Sequence, residues 1–415
     1  MISKALNILG SNKFLLSLIF LIISLGIYFC LINKYGWDWD TYAMIETFLN
    51  ILEDGKYFRS RGAGYIIPEI GIGFLSYYFG SFSTNLISFI FLISGLIFLY
   101  NSFANILKKQ LSFQHKIENE KLIFFFVICL SNNIVFRDST LSMDYSWSFL
   151  FYSLGFFFIS KKQIELSIIF FSLCFGSRFN FIVFILPTIL FLSESFLDHK
   201  KKILVCFIVT IFGGLFYLPS WLQESFSVNF IFSSKWYNSF KAAPVLSLEE
   251  FVRFLYKTTS ALGLLFLLTV GYVLINIKTN FINIFINFKA QIILIFINLI
   301  VFFFFPWEPS FLWILIFSLN FIIVTLFKKK ILYFIIFLNL FTWFYELKII
   351  EVNYANNGCF KQPIDAKLKL NFTKGIMLNI HDRQEQTKCY PDLLGKDKKI
   401  MKYKAQFMNG ERLLN

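Results

Sequence analysis

Uncharged apolar runs of bilayer length, separated by short polar links, restrict this chain more than any other feature. The run over 14–32, FLLSLIFLIISLGIYFCLI, carries no charged side chain. A helix needs about 20 apolar residues to cross the hydrocarbon core, with a working range of about 17–25. Lipid offers the backbone no hydrogen-bond partner, so such a run must be helical. By this measure spans are expected near 14–32, 84–107, 121–136, 145–160, 163–177, 181–197, 203–222, 259–277, 288–305, 309–327 and 331–349, about eleven in all. Composition agrees: 57% of the 415 residues are hydrophobic and 15% charged, against about half and about a quarter in soluble domains. The fold class expected is an all-α polytopic membrane bundle.

The net charge of +14 would point to nucleic acid in a soluble protein. Here the lysines fall in clusters between apolar runs, the pattern that sets membrane orientation, so no nucleic-acid partner is expected. Lys4 and Lys13, Lys108 and Lys109, Lys161 and Lys162, Lys200 to Lys202, Lys278, and Lys328 to Lys330 share the cytoplasmic side on one condition. The segment 64–80, with Pro68 and Glu69, must lie in the interface as a juxtamembrane helix and not cross. The first run lacks a small-residue cleavage site and is expected to remain as an anchor.

That arrangement collects on the external face a first loop over 33–83, then FRDSTLSMDYSW over 136–147, GSRFN over 176–180, a longer loop over 223–258, PWEPS over 306–310, and the tail from about 350. Nearly every acidic residue close to a span then lies on one side. The tail changes composition: KLKLNFT and IMLNI alternate apolar and polar residues as half-buried strands do, and MNG before ERLL is placed to turn a last hairpin. A small, partly β external appendage over 350–415 is expected. It holds Cys359 and Cys389, the two cysteines outside apolar runs, and an oxidising compartment predicts a disulfide between them. His115, His199 and His381 have no ligand spacing, which argues against a usual zinc site.

The first loop, GWDWDTYAMIETFLNILEDGKYFRSRGAGYIIPEIG, is the richest in chemistry. Asp38 and Asp40 open a helix whose stripe is Tyr42, Ile45, Phe48, Leu49 and Leu52. Either they cap its N-terminus, where negative charge is favoured, or they act on a substrate. Arg59 and Arg61 follow, and a planar guanidinium suits phosphate. Gly62 and Gly64 let backbone approach a ligand closely. Glu69 either lines the site or faces water on the juxtamembrane helix. Asp144 in the second loop is either a site acid or an exposed loop acid. Arg178, a charge within an apolar region, is functional by default unless it reaches the interface.

DTYAMIETFLNILEDGKYFRSRGAGYIIPEI resembles the first external loop of the C-type (GT-C) membrane glycosyltransferases, and SRGAGYIIPE is similar to a run in some bacterial members. STLSMDYSW resembles their second external loop, and LCFGSRFNFIVFILP their later Gly-x-Arg run. The resemblance covers roughly residues 14–200, similar to the bacterial aminoarabinose-transferase and protein-mannosyltransferase kinds. PWEPSFLWIL resembles a late loop, with Glu308 at the donor-contacting position.

The resemblance implies a GT-C-like catalytic module over 1–200, a variable transmembrane module over 201–349, and the appendage over 350–415. It implies an enzyme of a bacterial inner membrane that moves a sugar from a polyprenyl-phosphate donor to a glycan, glycolipid or protein hydroxyl on the external face, with inversion. Asp40 is the expected base, alone or with Asp38. Arg59, Arg61 and Arg178 are expected on the leaving phosphate, with Glu69, Asp144 and Glu308 as further binding residues. Some members use a divalent cation, Mg or Mn, for which Asp38, Asp40 and Asp144 are the available ligands; the metal is left open. Three rivals stand beside this: a polysaccharide polymerase or ligase acting on lipid-linked oligosaccharides, a lipid-linked sugar flippase or transporter, and a structural membrane subunit.

Overall fold

The computed structural model describes residues 13–36, 39–60, 64–110, 119–193, 197–223, 248–263, 266–267, 271, 281–304, 309–357, 360–378 and 402–414. The protein is mostly helical, with one two-stranded sheet. In chain order the helices are α1 (Lys13–Ile32), α2 (Trp39–Asp54), α3 (Ile66–Phe79), α4 (Ser81–Gln110), α5 (Asn119–Ser131), α6 (Asn133–Ser139), α7 (Asp144–Ser160) and α8 (Ile164–Ser177). An irregular helical run, α9 (Phe179–Leu192), follows. Then come α10 (His199–Leu215), α11 (Leu218–Gln223), α12 (Leu248–Leu262), α13 (Phe281–Asn287), α14 (Lys289–Phe304), α15 (Trp313–Leu326) and α16 (Lys329–Thr342). The strands β1 (Tyr345–Asn357) and β2 (Phe360–Lys374) form a hairpin, and α17 (Lys404–Asn409) lies near the C-terminus.

Among the described residues two helices, α1 and α4, are long and apolar enough to cross a membrane. The pair α5 and α6 makes a third if its 77° bend is accepted within one span. The expected count of about eleven is therefore not met. Most other apolar runs do fold as helices, but they stop short: α8 has 14 residues and α15 has 14, and at 1.5 Å per residue about 14 residues reach only some 21 Å of a core about 30 Å thick. Polar residues cause several of the breaks. Asn132 ends α5 and accepts the Val135 N–H through Oδ1 at 3.1 Å, capping α6, and Arg178 separates α8 from α9. Much of the run expected over 259–277 lies outside the described residues.

The chain divides into two compact units that interleave in sequence, unlike the expected division at 200 and 349. One holds Met1–Gly26, Tyr100–Asp138 and Leu248–His381. Its core packs α5, α15 and α16: Trp343 Nε1 donates to Ser131 O at 2.7 Å and its ring lies 4.3 Å from that of Phe136, while Phe321 meets Tyr100 and Phe103. The other holds Ile27–Leu99, Ser139–Ser247 and Asp382–Asn415. There α2 buries Tyr42, Met44, Ile45 and Leu49 against Ile72 of α3 and against Tyr403, Phe407 and Leu413. Gly73 lets α3 approach so closely that an added Cβ would overlap Phe48.

The tail is therefore not one appendage. The run expected as a span over 331–349 ends its helix at Thr342, and β1 begins at Tyr345, because YELK alternates with the two-residue period of a strand. KLKLNFT lies in β2 as expected, but Ile376–Leu378 is turn, and MNG ends α17 with Gly410 at φ +74° instead of turning a hairpin. Gly375 N–H donates to Phe344 O at 2.6 Å and Met377 N–H to Trp343 O at 2.8 Å, tying the hairpin to the end of α16. A Cβ on Gly375 would overlap the Thr342 and Trp343 carbonyls, which are backbone and cannot rotate away. Gly375→Ala is expected to destabilise this junction by about 1–3 kcal/mol, read as faster amide exchange at residues 343–348 than in the parent. Cys359 and Cys389 lie outside the described residues.

Candidate functional site

In the unit that contains α2, α3, α7 and α8, a buried polar network joins the first and second loops. Asn33 Nδ2 donates to Thr140 O at 3.2 Å and to its hydroxyl at 3.1 Å. Asn85 Nδ2 donates to Cys30 O at 2.9 Å and Lys34 O at 2.6 Å, and its Oδ1 accepts from Ser142 Oγ at 2.6 Å. Thr84 Oγ1 contacts the same Ser142 hydroxyl. Thr41 Oγ1 donates to Ser142 O at 2.9 Å. All six polar side chains of the network are buried, where unpaired polar groups are expensive, so the network strongly favours one arrangement. Thr41 adjoins Asp40 and Ser142 lies two residues before Asp144, so the first turns of α2 and α7 are pinned together. Sequence reasoning did not single out Thr41, Asn85 or Ser142; an asparagine inside an apolar run was the signal available.

Asp144 is not an exposed loop acid. It is buried in the first turn of α7, and Arg178 Nη1 meets its Oδ1 at 3.0 Å with both side chains at least 95% covered. The Arg178 guanidinium lies 3.8 Å from the centre of the Tyr145 ring and 6.0 Å from that of Tyr65, within cation–π range. Each charge also suits its helix end: the acid at the start of α7, the base just past α8, where Arg178 N–H donates to Cys174 O at 3.0 Å. Two residues expected separately in the site thus form one buried ion pair, and Arg178 does not reach out to an interface.

Glu69 does not face water either. It is fully buried in the first turn of α3, where Pro68 is tolerated because the missing N–H has no helical partner. Its Oε2 accepts from Tyr57 OH at 2.8 Å, and its Oε1 from Ser60 N–H at 3.0 Å and Ser60 Oγ at 2.5 Å. Ser220 Oγ lies 3.5 Å from Tyr57 OH. Gly64, at φ +74°, packs where a Cβ would overlap Ser220 and Tyr57. One carboxylate therefore folds the loop that carries Arg59 onto α3. Glu69→Ala would remove the charged acceptor shared by the half-buried Tyr57 and Ser60 donors, at about 1.5–3 kcal/mol for each bond lost. The expected result is protease cleavage at Lys56 and Arg59 that the parent resists.

Burial pushes the Tyr57 phenol well above its ordinary value of 10, the Glu69 charge pushes it further, and Arg59 opposes. The folded state thus holds a proton that the unfolded chain releases above pH 10. Stability from this group is complete below that pH and is lost as pH rises towards the raised value.

Asp40 is half-buried in the first turn of α2, and Arg59 is half-buried on the loop before α3. Asp38, Arg61 and Glu308 lie outside the described residues. In the other unit two acids that the sequence did not single out are held firmly. Asp138 accepts from Arg137 Nε and Ser310 Oγ, each at 2.5 Å, which gives Arg137 a partner. Glu346 accepts from Asn133 Nδ2 and pairs with Lys348 at 3.1 Å. Among the described residues no group of three or more His, Cys, Asp or Glu side chains is placed to hold a metal ion, and Asp144 is already engaged by Arg178. Compared with known proteins, the chain matches no protein-family model, no curated protein and no solved structure.

Proposed function

We propose that the protein is a multi-pass membrane glycosyltransferase that moves a sugar from a polyprenyl-phosphate donor to an acceptor hydroxyl on the external face, its N-terminus in the cytoplasm. The observation that carries this reading is the Thr41–Ser142 bond. It ties the α2 start, which carries Asp40, to the turn that leads into α7, which carries Asp144 and its partner Arg178, so the first and second loops come together within one unit. A structural subunit has no need of such a meeting.

In the proposed reaction the Asp40 carboxylate takes the proton of the acceptor hydroxyl. The freed oxygen attacks the anomeric carbon from the face opposite the phosphate. The bond from that carbon to the phosphate oxygen breaks, and polyprenyl phosphate leaves with the electron pair. Arg59 stabilises the departing charge. Arg178, oriented by Asp144 and the Tyr145 ring, adds its positive charge to the field around the same phosphate. Energy arrives with the lipid-linked donor, since no Walker-type phosphate loop occurs in the sequence.

Two measurements test the reading. Reporter fusions at Lys108, Lys200 and Lys329 should report the cytoplasm; an external signal at any of them removes the proposed sidedness. Mass spectrometry of surface glycans and glycolipids from cells lacking the gene should show loss of one sugar residue. Shortened polymers with every linkage retained would favour a polymerase or ligase, and an unchanged profile would end the proposal.

A further inference from the structure

The base of the β hairpin is built inside out for a protein in water. The register pairs Tyr345 with Lys374, Glu346 with Thr373, Leu347 with Phe372 and Lys348 with Asn371. Directly paired residues share a face and successive residues alternate. Tyr345, Leu347, Phe372 and, at the open end of the ladder, Lys374 therefore lie on one face, and Glu346, Lys348, Asn371 and Thr373 on the other.

The charged face turns inward. Glu346 and Lys348 pair with side chains only 16% and 22% exposed, Lys348 Nζ sits 5.8 Å over the Tyr256 ring of α12, and Asn133 donates to Glu346. The apolar face turns outward, with Phe372 61% and Leu370 66% exposed. An antiparallel sheet with one solvated face does the reverse. Covering an ion pair while leaving large apolar side chains open is unfavourable in water on both counts. Against lipid both terms change sign, because the outer medium then favours the apolar face and excludes the charges.

The outward face also continues that of α16. Phe334, Phe337 and Phe341 recur at helical spacing and are exposed, as are Phe344 and Tyr345 at the junction. The backbone bonds of Gly375 and Met377 hold helix and hairpin together. Tyr345 and exposed Lys374 stand at this edge, the residue types that sit at the boundary between acyl chains and headgroups.

We propose that the outward face of the hairpin base is a lipid-contacting surface, seated in the bilayer interface with Phe372 and Leu370 against the acyl chains. This rests on the membrane-embedded part of the reading above and not on sugar transfer.

The test uses the full chain in lipid nanodiscs, with its native cysteines changed to alanine and a bimane fluorophore attached through a single new cysteine. Phe372→Cys and Leu370→Cys should lose fluorescence to a nitroxide carried on the lipid acyl chain and resist aqueous iodide. Asn371→Cys, on the opposite face, should resist both. Phe20→Cys, at an exposed position of α1, reports embedding itself. Quenching by iodide at 372 with lipid quenching at 20 overturns the inference and leaves the membrane reading standing. Iodide quenching at both positions overturns both. Protection from both quenchers at 370 and 372 means that protein covers this face, a second copy included, and also overturns it.

Discussion

Asp40→Asn is expected to lower sugar transfer by about 10²–10⁴-fold, the usual span for loss of a general base. The substitution keeps the shape of the side chain at the start of α2 and removes its basicity. Binding of undecaprenyl phosphate, the donor without its sugar, should change little, since the proposed mechanism assigns the phosphate to the arginines. Surface plasmon resonance on nanodisc-held protein separates the two effects. Arg59→Ala should weaken that binding as well as turnover, because the proposal has its charge face phosphate before and during the reaction. Asp38→Asn is the companion variant: a large loss there with wild-type rates for Asp40→Asn would move the base to the other carboxylate. Wild-type transfer in both variants would return the pair to capping the helix and sink the catalytic proposal.

Asp144→Ala is expected to be the most destabilising single change in the site, by about 3–5 kcal/mol, because it removes the carboxylate that meets the buried Arg178 guanidinium. The effect should appear as a lower thermal midpoint and as weaker protection of the α7 and α8 amides. The double variant Asp144→Leu with Arg178→Met removes both charges and should recover most of the stability while remaining inactive. If the double variant is as unstable as Asp144→Ala, packing and not charge pairing governs this position. If it transfers sugar at the parent rate, the pair is structural scaffolding alone.

The helices were largely legible in the sequence, and for a local reason. An apolar run without charge has few other ways to satisfy its backbone in lipid, so runs near 14–32, 84–107 and 145–160 stand close to α1, α4 and α7. Gly55 illustrates the same kind of information: it closes α2 in the left-handed region at φ +63°, where a glycine carries no steric penalty. Span count was less legible, because hydropathy does not register where a single Asn132 or Arg178 breaks a helix. The end of α16 was misjudged because Tyr345 to Ile350 reads as apolar in sum, while its alternation suits a strand that has β2 to pair with.

The candidate residues divide in the same way. Charge type, order along the chain and the family resemblance put forward Asp40, Glu69, Asp144 and Arg178 as candidates. Their states were not legible, since each depends on a partner far away in sequence: Arg178 for Asp144, Tyr57 and Ser60 for Glu69, Ser142 for the helix that carries Asp40. The sequence by itself determined where most of the apolar helices lie and which residue types the loops present, because propensity and hydropathy act within a few residues. Only the tertiary structure decided which of those charges are buried and paired and which face of the hairpin points outward, because burial and ion pairing are properties of contacts that no local window contains.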